Sequence, residues 1–198
     1  PLALDAGSQL VYRLDLADGT AEALTVRTGF YRPRGLDADW AGALYVADTG
    51  GGRVVIVDSD GSVAGEFGGP DSALGAGQPV DVLATQQALW AITSEDGRLT
   101  NLYTGGSLSA VARAVSIDGP HLAGLDDGSF FVSDPVRRII IRFSAQGQPL
   151  QQLAYPDRFV LPTGIAAALI DNQLSMAVVD TQQCSLSLWS GPAELLSE

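Results

Sequence analysis

One residue pattern recurs along the chain at a nearly fixed interval, and it limits the fold more than any other feature. A short apolar run ends at Asp5 (LALD), Asp48 (ALYVAD), Thr93 (LWAIT), Asp134 (SFFVSD) and Asp180 (SMAVVD), with spacings of 43, 45, 41 and 46 residues. A turn then leads into a second apolar stretch: LVYRLD (10–15), RVVIVD (53–58), RLTNLY (98–103), RIIIRF (138–143) and CSLSLW (184–189). Glycines follow at 19, 61, 106, 147 and 191, and a weaker apolar piece comes next, as in SVAGEF (62–67) and QPLQQL (148–153). Four anchors are preceded by a proline and a short apolar piece, in RPRGLDAD, QPVDVLA, GPHLAGLD and LPTGIAAA. The segments are short, rich in β-branched and aromatic residues, and bounded by Gly, Asp, Ser and Pro, which reads as four strands per unit.

Units of about 44 residues with four strands have the size of a β-propeller blade. VVIV (54–57) and III (139–141) are continuous apolar runs without alternation. Such strands are covered on both faces, as the middle strands of a blade packed between two neighbours would be. No useful helical periodicity is present, and the one segment that could form a helical turn, PAELLSE (192–198), falls on a fourth strand in the repeat register. The expected fold is therefore an all-β propeller of four-stranded antiparallel blades. It forms a single domain with units near 1–28, 29–74, 75–115, 116–157 and 158–198.

The stretch RPRGLDADWAGALYVADTGGGRVVIVDSDGSVAGEFGG (32–69) resembles the NHL-repeat family, and GPHLAGLDDGSFFVSDPVRRIIIRFSAQGQPL (119–150) is similar to it as well. The units at 79–109 and 162–196 match more loosely: Thr93 replaces the strand-end aspartate, and an insertion around 170–172 lengthens a hairpin. The resemblance implies a propeller that usually closes with six blades. It implies fold more than function, because propellers host many activities. The first unit begins on its second strand, giving an expected 19 strands, so its open edge calls for a partner strand from preceding sequence or from another chain; a five-unit ring with an imperfect first blade is the alternative.

Charge narrows the partners. The chain has 23 acids against 11 bases, a net charge of −12, and all the bases are arginine. That field opposes nucleic acid and anionic lipid, whose binding depends on neutralising phosphates. No apolar run approaches the roughly 20 residues of a membrane span. The lone cysteine, Cys184, excludes an internal disulfide and a cysteine-based zinc site, and reads as a small buried residue near a strand end.

Several motifs invite a chemical reading. TGGGR (49–53) lacks the Gly-Lys-Ser/Thr and the following helix of a phosphate loop, so its glycines read as a turn between strands. DSDGS (58–62) and LDDGS (125–129) lack the ligand spacing of a calcium loop and read as hairpin turns. The strand-end aspartates can cap turns through backbone N–H groups. His121 is the sole histidine, too few for a multi-histidine metal centre; it reads first as a satisfied structural residue, though it stands where a general base at the channel mouth would sit. The chain has only Asn101 and Asn172 as asparagines, neither at an inner strand start, unlike the metal site of gluconolactonase-like propellers. No metal or cofactor is called for.

Arg32, Arg34 and Arg158 precede innermost strands and Arg137 lies in a turn between second and third strands, so all four belong to one propeller face with His121, Asp48, Asp134 and Asp180. That mixed face suits a protein or peptide partner, since Arg pairs bidentately and is enriched in hot spots. Inter-blade salt bridges are the competing use of the same charges. The expectation is a non-catalytic interaction platform; a hydrolase or lyase acting on a small molecule at the channel is the alternative.

Overall fold

The computed structural model describes residues 1–113, 119–155, 157–171 and 173–192, and every regular element among them is a strand. No described helix is long and apolar enough to cross a membrane. The strands form five antiparallel sheets, each a run of adjacent hairpins. The first holds β1 (Leu2–Asp5), β2 (Leu10–Asp15) and β3 (Thr20–Ala23). The second holds β4 (Gly35–Ala38), β5 (Leu44–Asp48), β6 (Arg53–Val57) and β7 (Val63–Gly68). The third holds β8 (Pro79–Ala84), β9 (Leu89–Thr93), β10 (Arg98–Asn101) and β11 (Ser107–Ser109). The fourth holds β12 (Leu122–Gly124), β13 (Phe130–Asp134), β14 (Ile139–Phe143) and β15 (Pro149–Ala154), and the fifth β16 (Pro162–Ile170), β17 (Gln173–Asp180) and β18 (Ser185–Pro192).

The inner strands β4, β8, β12 and β16 pack successively on one another, so the sheets are the blades of a β-propeller. All five anchors, Asp5, Asp48, Thr93, Asp134 and Asp180, are the last residues of their strands. The first sheet lacks the inner strand that the others have, as its starting register implied. The lengthened hairpin is β16–β17, the longest pair in the chain. The segment PAELLSE lies, apart from Pro192, outside the described residues.

Alternation within one strand builds two cores at once. Leu44 and Val46 of β5 join Val11, Val55 and Val57 between the first two sheets. Tyr45 and Ala47 of the same strand join Val82, Leu89 and Ala91 between the second and third. Trp90, Phe130 and Phe143 centre the next core, with Phe130 and Phe143 stacked at 5.4 Å, and Phe131, Ile140, Met176 and Val178 fill the last. β5, β9 and β13 are buried at every position, and the continuous runs VVIV and III lie beside them on β6 and β14, buried except at the half-buried Ile56. β18 instead alternates half-buried and exposed residues, and Leu188 is 75% exposed, because one face of the fifth sheet is open among the described residues.

The turn after each anchor has one geometry. The fourth residue beyond the anchor has positive φ in all five sheets: Gln9 (61°), Gly52 (63°), Gly97 (65°), Arg138 (61°) and Cys184 (50°). Only two of these are glycine, and the others bear the steric cost of the left-handed region. In TGGGR, Gly52 supplies this φ, whereas a side chain at Gly51 would collide with the Asp48 carboxylate and one at Gly50 with Tyr31. The glycines are a turn, as expected. Cys184 is a correction: the turn places it on the surface, where it is exposed and not buried.

Urea denaturation checks this turn rule. Gly52→Ala should destabilise the chain by about 1 kcal/mol, while Gln9→Gly should leave it unchanged or stabilise it by a few tenths of that. In the core, Phe130→Ala should cost about 3–5 kcal/mol, whereas Leu188→Ser in this chain should cost less than about 0.5 kcal/mol.

Candidate functional site

The strand-end aspartates come first, because they set the loops around them. Asp48, Asp134 and Asp180 are buried. Each accepts a hydrogen bond from the segment entering its own blade. Tyr31 N–H donates to Asp48 Oδ1 at 2.5 Å, and Ala112 N–H to Asp134 Oδ2 at 2.8 Å. Val160 and Leu161 N–H donate to Asp180 Oδ2 at 2.7 and 2.9 Å. The second oxygen holds the following turn, through Arg137 N–H at 2.9 Å on Asp134 and Gln183 N–H at 3.0 Å on Asp180. At Asp48 that role passes to Arg53, whose Nε lies 2.9 Å from Oδ2 and whose Nη2 donates to Gly29 O at 3.0 Å. The third blade lacks the aspartate and keeps the reach: Thr93 bonds the Asp96 carboxylate, and Arg98 Nη2 donates to Leu74 O at 2.9 Å. Turn capping is therefore half of the anchor's work; gripping the entry segment is the other half.

On the channel wall, Gly35, Asp81 and His121 occupy equivalent places at the starts of three inner strands. A side chain on Gly35 would collide with Asp81, so the glycine makes room for that carboxylate. Asp81 crosses to the fourth blade, where Oδ2 accepts Leu122 N–H at 2.8 Å and lies 3.1 Å from His121 Nδ1. Ser133 Oγ accepts His121 N–H at 2.8 Å and donates to Thr163 O at 2.6 Å, which extends the chain of contacts to the fifth blade. The sequence offered one cue to Asp81, an acid inside the apolar PVDVLA, but none to its partner forty residues away.

The arginines stand nearer solvent. Strands two end and inner strands begin at one end of the propeller, so the entry loops and these turns share that end. Arg32 is exposed at φ 54° with its guanidinium 5.4 Å from the Tyr31 ring centroid. Arg34 is half-buried just before β4. Arg137 is exposed, 3.6 Å from the Asp134 carboxylate, and Arg158 is exposed over the Trp189 ring at 5.2 Å. The structure thus brings the expected residues to one end and splits them: arginines outward, anchor carboxylates inward, His121 on the channel wall.

A cleft of about 600 Å³ opens at the opposite end, lined by Asp37, Asp39, Trp40, Tyr45, Tyr103 and Asp127 among others. Burial pushes the Asp37 carboxyl up, against hydrogen bonds from Ala84 and Ala38 N–H, and the Asp81 and Asp39 charges add to the rise. Asp60 and Asp127 each hold the N–H and hydroxyl of the serine two residues on, as hairpin turns do. Among the described residues, no group of three or more His, Cys, Asp or Glu side chains could hold a metal ion.

This arrangement of blades is a β-propeller, and solved propeller proteins superpose on it. Virginiamycin B lyase from Staphylococcus aureus does so at a TM-score of 0.62 and 15% identity, over 96% of this chain and 64% of that one. A streptogramin B lyase gives 0.63 and 15%, over 95% and 67%. The WD40 domain of Neurospora crassa Pan2 gives 0.58 and 11%, over 94% and 61%. At these identities the likeness is one of fold. Residues 30–62 match the family model of the NHL repeat, and the chain carries that repeat in its second blade. No curated protein sequence matches the chain significantly.

The Asp180 clamp gives a signed pH dependence. Burial works to raise its carboxyl, but the N–H groups of Val160, Leu161 and Gln183 outweigh it and hold the group below the usual carboxylate range. A folded-state value below the unfolded one stabilises the fold at neutral pH, and that stability is lost as pH falls below about 4. Asp180→Asn should therefore lower stability at pH 7 by about 1–3 kcal/mol, with the gap to wild type narrowing as pH falls below the usual carboxylate range in urea titrations.

Proposed function

We propose that this propeller is a non-catalytic interaction platform that binds a protein or peptide through its channel-mouth face. The observation that carries the reading is the pair of aromatic–arginine contacts on that face, Arg32 over Tyr31 and Arg158 over Trp189. Tyr, Trp and Arg dominate interface hot spots, and a guanidinium already seated on a ring loses less freedom when a partner arrives. Tyr31 is 56% exposed, so that pair is available to a partner. The fold alone carries no function. In crosslinking followed by mass spectrometry, partner crosslinks should map to the entry loops, and Arg32→Ala with Tyr31→Ala should reduce capture about tenfold or more. Unchanged capture by that variant, with no partner crosslink on any entry loop, would exclude this face.

The Asp81–His121 contact supports a second reading, a hydrolase or lyase with its site at the channel. A carboxylate on Nδ1 sets the imidazole tautomer and orients Nε2 as a proton acceptor. A hydrolase and lyase substrate panel tests it: activity abolished by His121→Ala would support it, and a wild-type chain inert across the panel would count against it.

A further inference from the structure

Resting on the platform reading above, we infer that the partner is an acidic peptide segment and that it docks on the sector of the face formed by the fourth and fifth blades. The motivation is where the charges of a strongly acidic chain stand. Exposed aspartates crowd the turns at the far end of the propeller: Asp18, Asp58, Asp60, Asp126, Asp127 and Asp171. The channel-mouth end of the fourth and fifth blades carries Arg113, Arg137, Arg138 and Arg158 instead, with Asp157 the one exposed acid among the described residues there. Arg113, Arg138 and Arg158 make no ion pair among the described residues, and Arg137 has only the 3.6 Å contact to the buried Asp134, whose oxygens already hold Ala112 and Arg137 N–H.

The competing use of arginine, structural ion pairing, is met elsewhere by Arg53 and Arg98, which pair with Asp48 and Asp96 inside their own blades and donate to the entry-segment carbonyls of Gly29 and Leu74. Arg113, Arg137, Arg138 and Arg158 stay outward. Apolar surface lies among them: Val136 is 52% exposed and Tyr155 36%. The segment that fits is one of carboxylates interleaved with an apolar residue. A carboxylate takes a guanidinium bidentately, and local charge complementarity steers it. The net charge of −12 works against a long polyanion such as nucleic acid, while a short segment feels mainly the charges within a Debye length, about 8 Å at physiological salt.

One turn offers a variant that spares the fold. Arg138 occupies the position that Gly52 and Gly97 fill in sister blades, so Arg138→Gly removes a guanidinium while meeting the turn's own preference. The probe is a fluorescein-labelled peptide of glutamates with interspersed leucines. Its controls are the same peptide with lysine for glutamate and a single-stranded oligonucleotide of equal length, all read by anisotropy. The glutamate peptide should bind the wild-type chain and weaken about tenfold or more between roughly 50 and 300 mM salt. Arg138→Gly with Arg158→Gln should weaken it at least about tenfold, with the melting temperature within a few degrees of wild type. Equal binding by that variant, equal binding of the lysine peptide, or tighter binding of the oligonucleotide would overturn the acidic-peptide partner. Crosslinks at Tyr31 and Arg32 without glutamate-peptide binding would overturn it too, while leaving the platform reading in place.

Discussion

The propeller depends on the buried carboxylate that ends the second strand of the second, fourth and fifth blades. A blade is a hairpin stack with little means of fixing where the chain enters it, since entry loops are irregular. Asp48, Asp134 and Asp180 solve this with two oxygens each, one gripping the incoming segment and one the outgoing turn or its arginine. A buried carboxylate is costly unless its lone pairs are filled, and here backbone donors fill them. The loops that carry Tyr31, Arg32 and Arg158 are therefore positioned from inside the fold. The face is exposed, but its scaffolding is not.

The same device explains the variation between blades. The third blade keeps a threonine at the anchor, and the reach to the entry segment moves to Arg98, just as Arg53 shares that work with Asp48. Arginine at the start of a third strand thus has a structural outlet near the anchor. Arg137 and Arg138 lie in the turn just before the third strand, are exposed, and only Arg137 touches its anchor, at 3.6 Å from Asp134.

Much of this is legible in the sequence, because periodic features are local. The five anchors, the inner strands after proline and the glycine turn at TGGGR all lie where the repeat places them. The continuous apolar runs correctly signal strands dry on both sides. Contacts across blades are not legible. Asp81 meets His121 only because two inner strands start side by side and Gly35 leaves space, and no spacing rule links residues forty apart. Cys184 misleads for a related reason: composition favours burial for cysteine, whereas its place in the turn puts it outside.

Among the described residues, four cores serve five sheets. Each blade contacts only its neighbours, so the chain behaves as a nearest-neighbour array, with stability shared through interfaces and not through one centre. Among the described residues, the third blade is held from both sides by aromatic and aliphatic cores, while the first and fifth are each held from one. Protection against local opening is accordingly graded. Backbone amides of β9 and β13 report the global unfolding event, and those of β2 and β18 open in smaller excursions that leave the middle of the array intact.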